Sequence, residues 1–286
     1  MNRRRFLILA GGVVVAGAAA GVGVAAGRSR SFQNQIDEEI AELLAAARPP
    51  AIGTVTEADV ANLPAPVQRW LRASGVVGTT VPSVVRIAQR GEFRLGSDGG
   101  WMPMRATQYY TTNPPGFLWD ASMKMFSVLP VTGRDRYVDG AGDIEMRIAS
   151  IIPVARKSGG NLNDGALLRY LNETMWFPAA LVLPNVTWDA VDDASARATL
   201  TNAGQSVSAV FVFDDQDRLA TMTADRWNDT DQAIRPWSTP ISDWGTFAGI
   251  DLATAGAGIW NIGPDAYEYI RLRITNVEYD PSGVGP

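Results

Sequence analysis

Glu173, Asp189, Asp192 and Asp193 stand close in sequence to three large aromatics, Trp176, Phe177 and Trp188. Two carboxyls held in different environments can divide the tasks of general acid and general base, and indoles make walls on which sugars stack. On that reading Glu173, with Asp192 or Asp193, serves a carboxylate-dependent hydrolase. The plainer reading starts a strand near Trp188 and turns it at Asp192-Asp193. The two Asp then cap or solvate the turn and meet Arg197, while Trp176 and Trp188 are core. Asp is a common turn residue and aromatics beside a helix end are usually packing, so the plainer reading is the default.

The chain has no His and no Cys. Imidazole and thiolate are the usual zinc, copper and haem ligands and the usual base and nucleophile, so Ser-His-Asp and Cys-His hydrolysis are excluded. Lys124 and Lys157 are the only lysines, hence the only candidates for a Schiff base or a Ser-Lys pair. Carboxylate, Tyr and Arg chemistry remains, together with an oxygen-ligated cation. The stretch FDDQDRL, residues 213–219, alternates Asp215 and Asp217 like part of a calcium loop, but it lacks the glycine and the distal Glu of an EF-hand and reads as a hairpin turn. Asp139–Asp143, DGAGD, has a Gly-x-Gly without a clear following helix and also reads as a turn. No metal or cofactor is expected.

Aromatics offer a different chemistry. Core packing is their default role, but a curved sheet can gather such rings on its concave face and leave an apolar cleft, the usual kind of ligand site. Trp101, Tyr110, Trp119, Tyr137 and Trp176 are the candidates for such a wall, for a lipid or other apolar molecule, with no catalytic residue required.

At the N-terminus, NRRRFL places Asn2, the Arg3-Arg4 pair, Phe6 and Leu7 as in a twin-arginine export signal. An uncharged run from Phe6 to Gly27 follows, long enough to span a bilayer as a helix at about 20 residues, and VAAG, residues 24–27, offers a cleavage site. Residues 1–30 are therefore expected to be a signal peptide or membrane anchor, and the body is expected outside the cytoplasm in the cell envelope. Twenty-five basic and 30 acidic residues give a net charge of −5. The segment through Ala26 holds three Arg and no acids, so the body is more acidic still. Such a body repels phosphate backbones, and nucleic acid is not expected as a partner.

The elements that must position these residues follow from periodicity. Residues 31–54 hold an amphipathic helix, FQNQIDEEIAELLAAAR, stopped by Pro49-Pro50, and a linker. Residues 55–280 form one domain. Two short helical turns open it, with Thr56 capping the first and Val67, Trp70 and Leu71 facing inward on the second. After Pro82 the period becomes two, with LPVTG, residues 129–133, as one of the separators. A helix is expected from about Asp164 to Met175. Strands resume, interrupted by a Trp- and Pro-rich loop from Asn228 to Thr246, and end in AYEYIRLRITNVEY. The sum is α+β: a strongly curved antiparallel sheet, a half-barrel, covered by N-terminal helices and one mid-chain helix.

PVQRWLRASGVVG (66–78), QYYTTNPPGFLWDA (108–121), RDRYVDGAGDIEMRI (134–148) and RYLNETMWFPAAL (169–181) resemble an uncharacterised bacterial family of exported or membrane-anchored proteins. The resemblance carries over no catalytic residue. At GIDLATAG the chain departs from the family's pattern, which has a Gly followed shortly by Pro before the last strands, so the resemblance does not carry the family's loop over to this stretch. The architecture is similar to that of LolA- and LolB-type lipoprotein carriers. The leading expectation is thus an envelope protein that binds an apolar ligand; the hydrolase above and an envelope assembly protein without a small ligand are the alternatives.

Overall fold

A computed structural model describes residues 20–126 and 128–282. The expected twin-arginine motif and most of the uncharged run lie outside the described residues. Among the described residues, no helix is long and apolar enough to cross a membrane.

Four helices are described: α1 (Ala20–Ala46), α2 (Glu57–Val60), α3 (Ala65–Ala73) and α4 (Asn161–Glu173). Thr56 starts α2, and the Asp59 carboxylate accepts from its backbone N at 2.7 Å and its hydroxyl at 2.6 Å. Two 3₁₀ turns, Thr174–Trp176 and Pro178–Val182, follow α4, because Pro178 cannot extend an α-helix.

Thirteen strands form one antiparallel sheet in the order β6-β5-β4-β3-β2-β1-β13-β12-β11-β10-β9-β8-β7. The first meander comprises β1 (Val84–Phe93), β2 (Met102–Thr112), β3 (Pro115–Met125), β4 (Leu129–Val138), β5 (Ala141–Ile148) and β6 (Ile152–Ser158). The second comprises β7 (Val186–Asp192), β8 (Ser195–Asn202), β9 (Gln205–Phe213), β10 (Leu219–Asn228), β11 (Ala233–Phe247), β12 (Ile250–Trp260) and β13 (Tyr267–Tyr279). The two meanders join where β1 pairs with β13, with Ile87 opposite Val277.

Two expectations are corrected. Leu129–Gly133 is strand, not separator, because Val131 and Gly133 face the interior opposite Ile148 and Met146. The expected loop from Asn228 to Thr246 is mostly β11, despite Pro236 and Pro240. Its ladder to β12 passes over Thr239 and Pro240 and shifts between Ile241 and Trp244, which accommodates a residue without an N–H. GIDLATAG forms most of β12; its small residues weaken the strand signal but allow other chain segments to come close.

The sheet curls without closing, leaving β6 and β7 as edges. Helix α4 lies in the curl, touching β3–β6 on one flank and β8–β10 on the other. Side chains bridge the flanks: Gln205 Nε2 donates to Gly140 O at 2.5 Å, Asn202 Nδ2 donates to Tyr137 Oη at 3.0 Å, and Lys157 pairs with Asp229 at 2.8 Å. The N-terminal helices divide between faces. On the convex face α1 buries Phe32, Ile36, Ile40 and Leu43 against Tyr109 and Leu118. On the concave face α3 buries Val67, Trp70 and Leu71 in the main core, with the Trp70 and Phe213 rings 5.4 Å apart.

Candidate functional site

Leu167, Leu168 and Leu171 anchor α4 in the core. The same helix then presents Arg169, Asn172 and Glu173 to a cavity of about 240 Å³ between α4 and the sheet. Phe93, Ile270 and Leu272 at the β1–β13 seam line one side, and Trp119, Ile144 and Met146 another. Trp176 and Trp237 complete the aromatic wall.

Gly256 and Gly258 also line this space, where bulkier residues have no room. A Cβ on Gly256 would lie 2.7 Å from Pro240 O, and one on Gly258 would lie 2.7 Å from the Tyr269 ring. Their absence of side chains lets β11 and β13 approach β12 beside the cavity.

A polar cluster interrupts the apolar lining. Arg169 Nε donates to Glu173 Oε1 at 2.7 Å, Nη1 to Asp135 Oδ2 at 2.5 Å, and Nη2 to Gln108 Oε1 at 3.2 Å. Gln108 Nε2 and the Tyr110 hydroxyl donate to Glu173 Oε2 at 2.7 and 3.2 Å. Trp119 Nε1 donates to Gln89 Oε1 at 3.1 Å, and Gln89 donates to Gln108 at 3.1 Å, so an aromatic wall residue is wired to the same cluster. Buried polar groups rigidify a site when their partners are satisfied. Asp135 Oδ1 is the exception, buried without a hydrogen-bond partner.

Burial pushes the Glu173 and Asp135 carboxyls above their ordinary values, against the pull of Arg169. Burial also lowers Arg169, but Glu173 and Asp135 outweigh it and hold the guanidinium charged. Tyr110 is raised well above a free phenol, first by burial and then by Glu173. A second cation, Arg226, lies 4.9 Å from the Trp237 ring centroid and 5.8 Å from that of Trp260. The arrangement fixes charge at the side of an apolar space.

Of the five expected wall aromatics, Trp119 and Trp176 line the cavity. Tyr110 is fully buried behind Glu173, and Tyr137 is fully buried as a bridge between the flanks. Trp101 is elsewhere, with the guanidiniums of Arg94 and Arg271 over its ring at 4.7 and 4.5 Å from the centroid. The acids are likewise separated: Glu173 lines the cavity, whereas Asp192 and Asp193 are exposed at the β7–β8 turn and line none of it. Asp192 Oδ1 accepts from Ala194 N at 2.9 Å, a bond that holds its carboxyl below the ordinary value. Arg69 Nη2 donates to Asp193 O at 2.8 Å. The β9–β10 turn is similar, with Asp214 Oδ1 accepting from Gln216 N and Arg218 N, each at 2.9 Å.

Sequence reading missed Arg169, Asp135, Gln108 and Arg226 as site residues. The Arg169–Glu173 spacing of one helical turn was a usable signal; the other three come together only through the sheet's curl.

A model described as a family of unknown function, DUF6544, matches residues 53–272. The chain belongs to that family. No curated protein matches its sequence. Among solved structures it is similar to a DUF1329 family protein from Desulfovibrio piger, at 11% identity and a TM-score of 0.44 over 77% of this chain and 95% of that one. It is also similar to a putative outer membrane lipoprotein-sorting protein domain from Vibrio parahaemolyticus, at 9% identity and 0.39 over 71% and 87%. A LolA superfamily protein from Nitrosomonas europaea aligns at 12% identity and 0.40 over 77% and 97%.

Proposed function

We propose that this protein binds a lipid or another apolar molecule in the α4 cavity and does so outside the cytoplasmic membrane. The cavity itself carries the reading. An apolar cavity of about 150 Å³ stays dry and takes up benzene, so about 240 Å³ here suits a small apolar molecule or part of an acyl chain. The Arg169 cluster and Arg226 give a bound amphiphile polar groups to meet at the wall. The expected export signal supports the location, whether residues 1–30 are cleaved or retained as an anchor. Every polar contact described for Asp192 and Asp193 is a turn or side-chain contact away from the cavity, which supports binding over hydrolysis.

Organic extraction of purified protein followed by mass spectrometry tests the reading. An apolar compound recovered reproducibly at near one per chain is expected. Clean protein that also leaves the fluorescence of an added apolar dye unchanged would overturn it.

A further inference from the structure

The loops β1–β2, β3–β4 and β5–β6 turn at the same end of the first meander, because alternate hairpins of an antiparallel sheet share an edge. Each carries an exposed large apolar residue at or beside its tip. Leu95 is 45% exposed, Phe126 80%, Val128 81% and Ile152 55%. Four of the six large apolar side chains exposed among the described residues thus belong to one edge, where isolated exposure would need no explanation.

Cations lie behind this edge on the convex face. The register sets Arg90 directly opposite Arg105 of β2 on one side and Arg273 of β13 on the other. Like charges placed directly opposite are unfavourable in a sheet, and this row stands in a chain of net charge −5. Arg273 pairs with Asp243 at 2.6 Å, but Arg90 and Arg105, both exposed, form none of the described ion pairs. Lys124 is exposed one row nearer the tips, opposite Pro130. Trp101, at the end of the β1–β2 loop, lies against two guanidiniums, a setting that suits an amphipathic indole at a membrane–water boundary.

Helix α1 gives this edge a direction. Arg147 lies 3.9 Å from the Phe32 ring, Gln33 reaches Asp120, and Arg48 N donates to Asn113 O at the β2–β3 turn. The helix therefore runs along the convex face away from the tips, and its first turns point toward them. The uncharged stretch that begins at Phe6 leads into α1 and ends within it at Gly27.

We infer that the three hairpin tips form a docking face for the surface of an anionic lipid bilayer. Separate protruding apolar tips with cations set behind them fit a fluid interface: the apolar groups enter the headgroup boundary and the cations meet acidic headgroups. The inference stands on the tips and not on the cavity, so it survives an empty cavity.

The lack of native Cys makes the test direct. Leu95→Cys, Val128→Cys, Ile152→Cys and Val191→Cys are introduced singly into the full chain and labelled with an environment-sensitive fluorophore. Val191, 49% exposed on the far edge strand β7, is the control. With vesicles of equal parts phosphatidylglycerol and phosphatidylcholine, the first three labels are expected to shift to the blue and the control to remain as in water. Arg105→Gln or Lys124→Gln should weaken the tip response about five-fold each, as expected for the loss of one cation near an acidic surface. If chain bound to vesicles through its N-terminal segment leaves all three tip labels in water, the inference falls. It also falls if the tips respond equally to phosphatidylcholine alone, or if only the Val191 label moves, which would place another face on the bilayer.

Discussion

Arg169 and Glu173, one turn apart on α4, meet at 2.7 Å between Nε and Oε1 at the wall of a mostly apolar cavity. Removing one member of a buried pair strands the other, a loss of about 3–5 kcal/mol. Arg169→Met leaves two buried acids, Glu173 and Asp135, and should reach that range in urea unfolding. Glu173→Gln leaves Arg169 still paired with Asp135 and should cost about 2 kcal/mol or less. Equal losses from the two variants would mean that Asp135 does not share the guanidinium.

Stability should also depend on pH through the same acids. Both carboxyls are raised by burial, so the folded chain holds protons that the unfolded chain releases. Stability then falls as pH rises, starting near the ordinary values of 3.8 for Asp135 and 4.5 for Glu173 and ending once each passes its raised native value. Below both ordinary values these groups give no slope. Unfolding measured across this acidic range should show a shallower fall for Glu173→Gln, and an unchanged slope would remove Glu173 as its source.

Tyr137 ties the flanks of the curled sheet, accepting from Asn202 at 3.0 Å and donating to Gln205 Oε1 at 3.4 Å. Tyr137→Phe keeps the buried ring and deletes the hydroxyl, so about 1–2 kcal/mol should be lost. Amide exchange should quicken at the β4–β5 and β8–β9 turns more than at the β1–β13 seam. Uniform quickening would show that the hydroxyl stabilises the whole fold rather than the bridge.

Much of the strand pattern was legible because alternation survives wherever one face is buried: the first six residues of Val84–Phe93 and all of Gln205–Phe213 show it. Strands β11 and β12 were lost because Pro236, Pro240 and a run of Ala and Gly read locally as loop. There the pairing of neighbouring strands overrides propensity. The site was legible only where one element supplies it. Glu173 stood out on its helix and Trp119 on its strand, but Tyr110 and Tyr137 proved to be packing and Trp101 lies off the cavity. The parity of a strand names a face, whereas whether that face is filled depends on strands far away in sequence. Asp135 and Arg226 reach one cavity because β4 and β10 lie on opposite flanks of the curl.

Ile144 provides the sharpest test of the cavity as a real space. It lines the lumen from β5, opposite Asp135 on β4, and is only partly buried. In a filled core, an indole at this position would force neighbours apart and cost about 1–3 kcal/mol. Beside an open volume of about 240 Å³ it can turn inward instead. Ile144→Trp should therefore change stability by less than about 1 kcal/mol while lowering the amount of extracted ligand several-fold. A large loss of stability with ligand unchanged would mean that the space is closed to side chains and that the ligand sits elsewhere. Asp192→Asn is the companion control: its carboxylate serves only the β7–β8 turn, so the ligand yield should be the same as in the native chain.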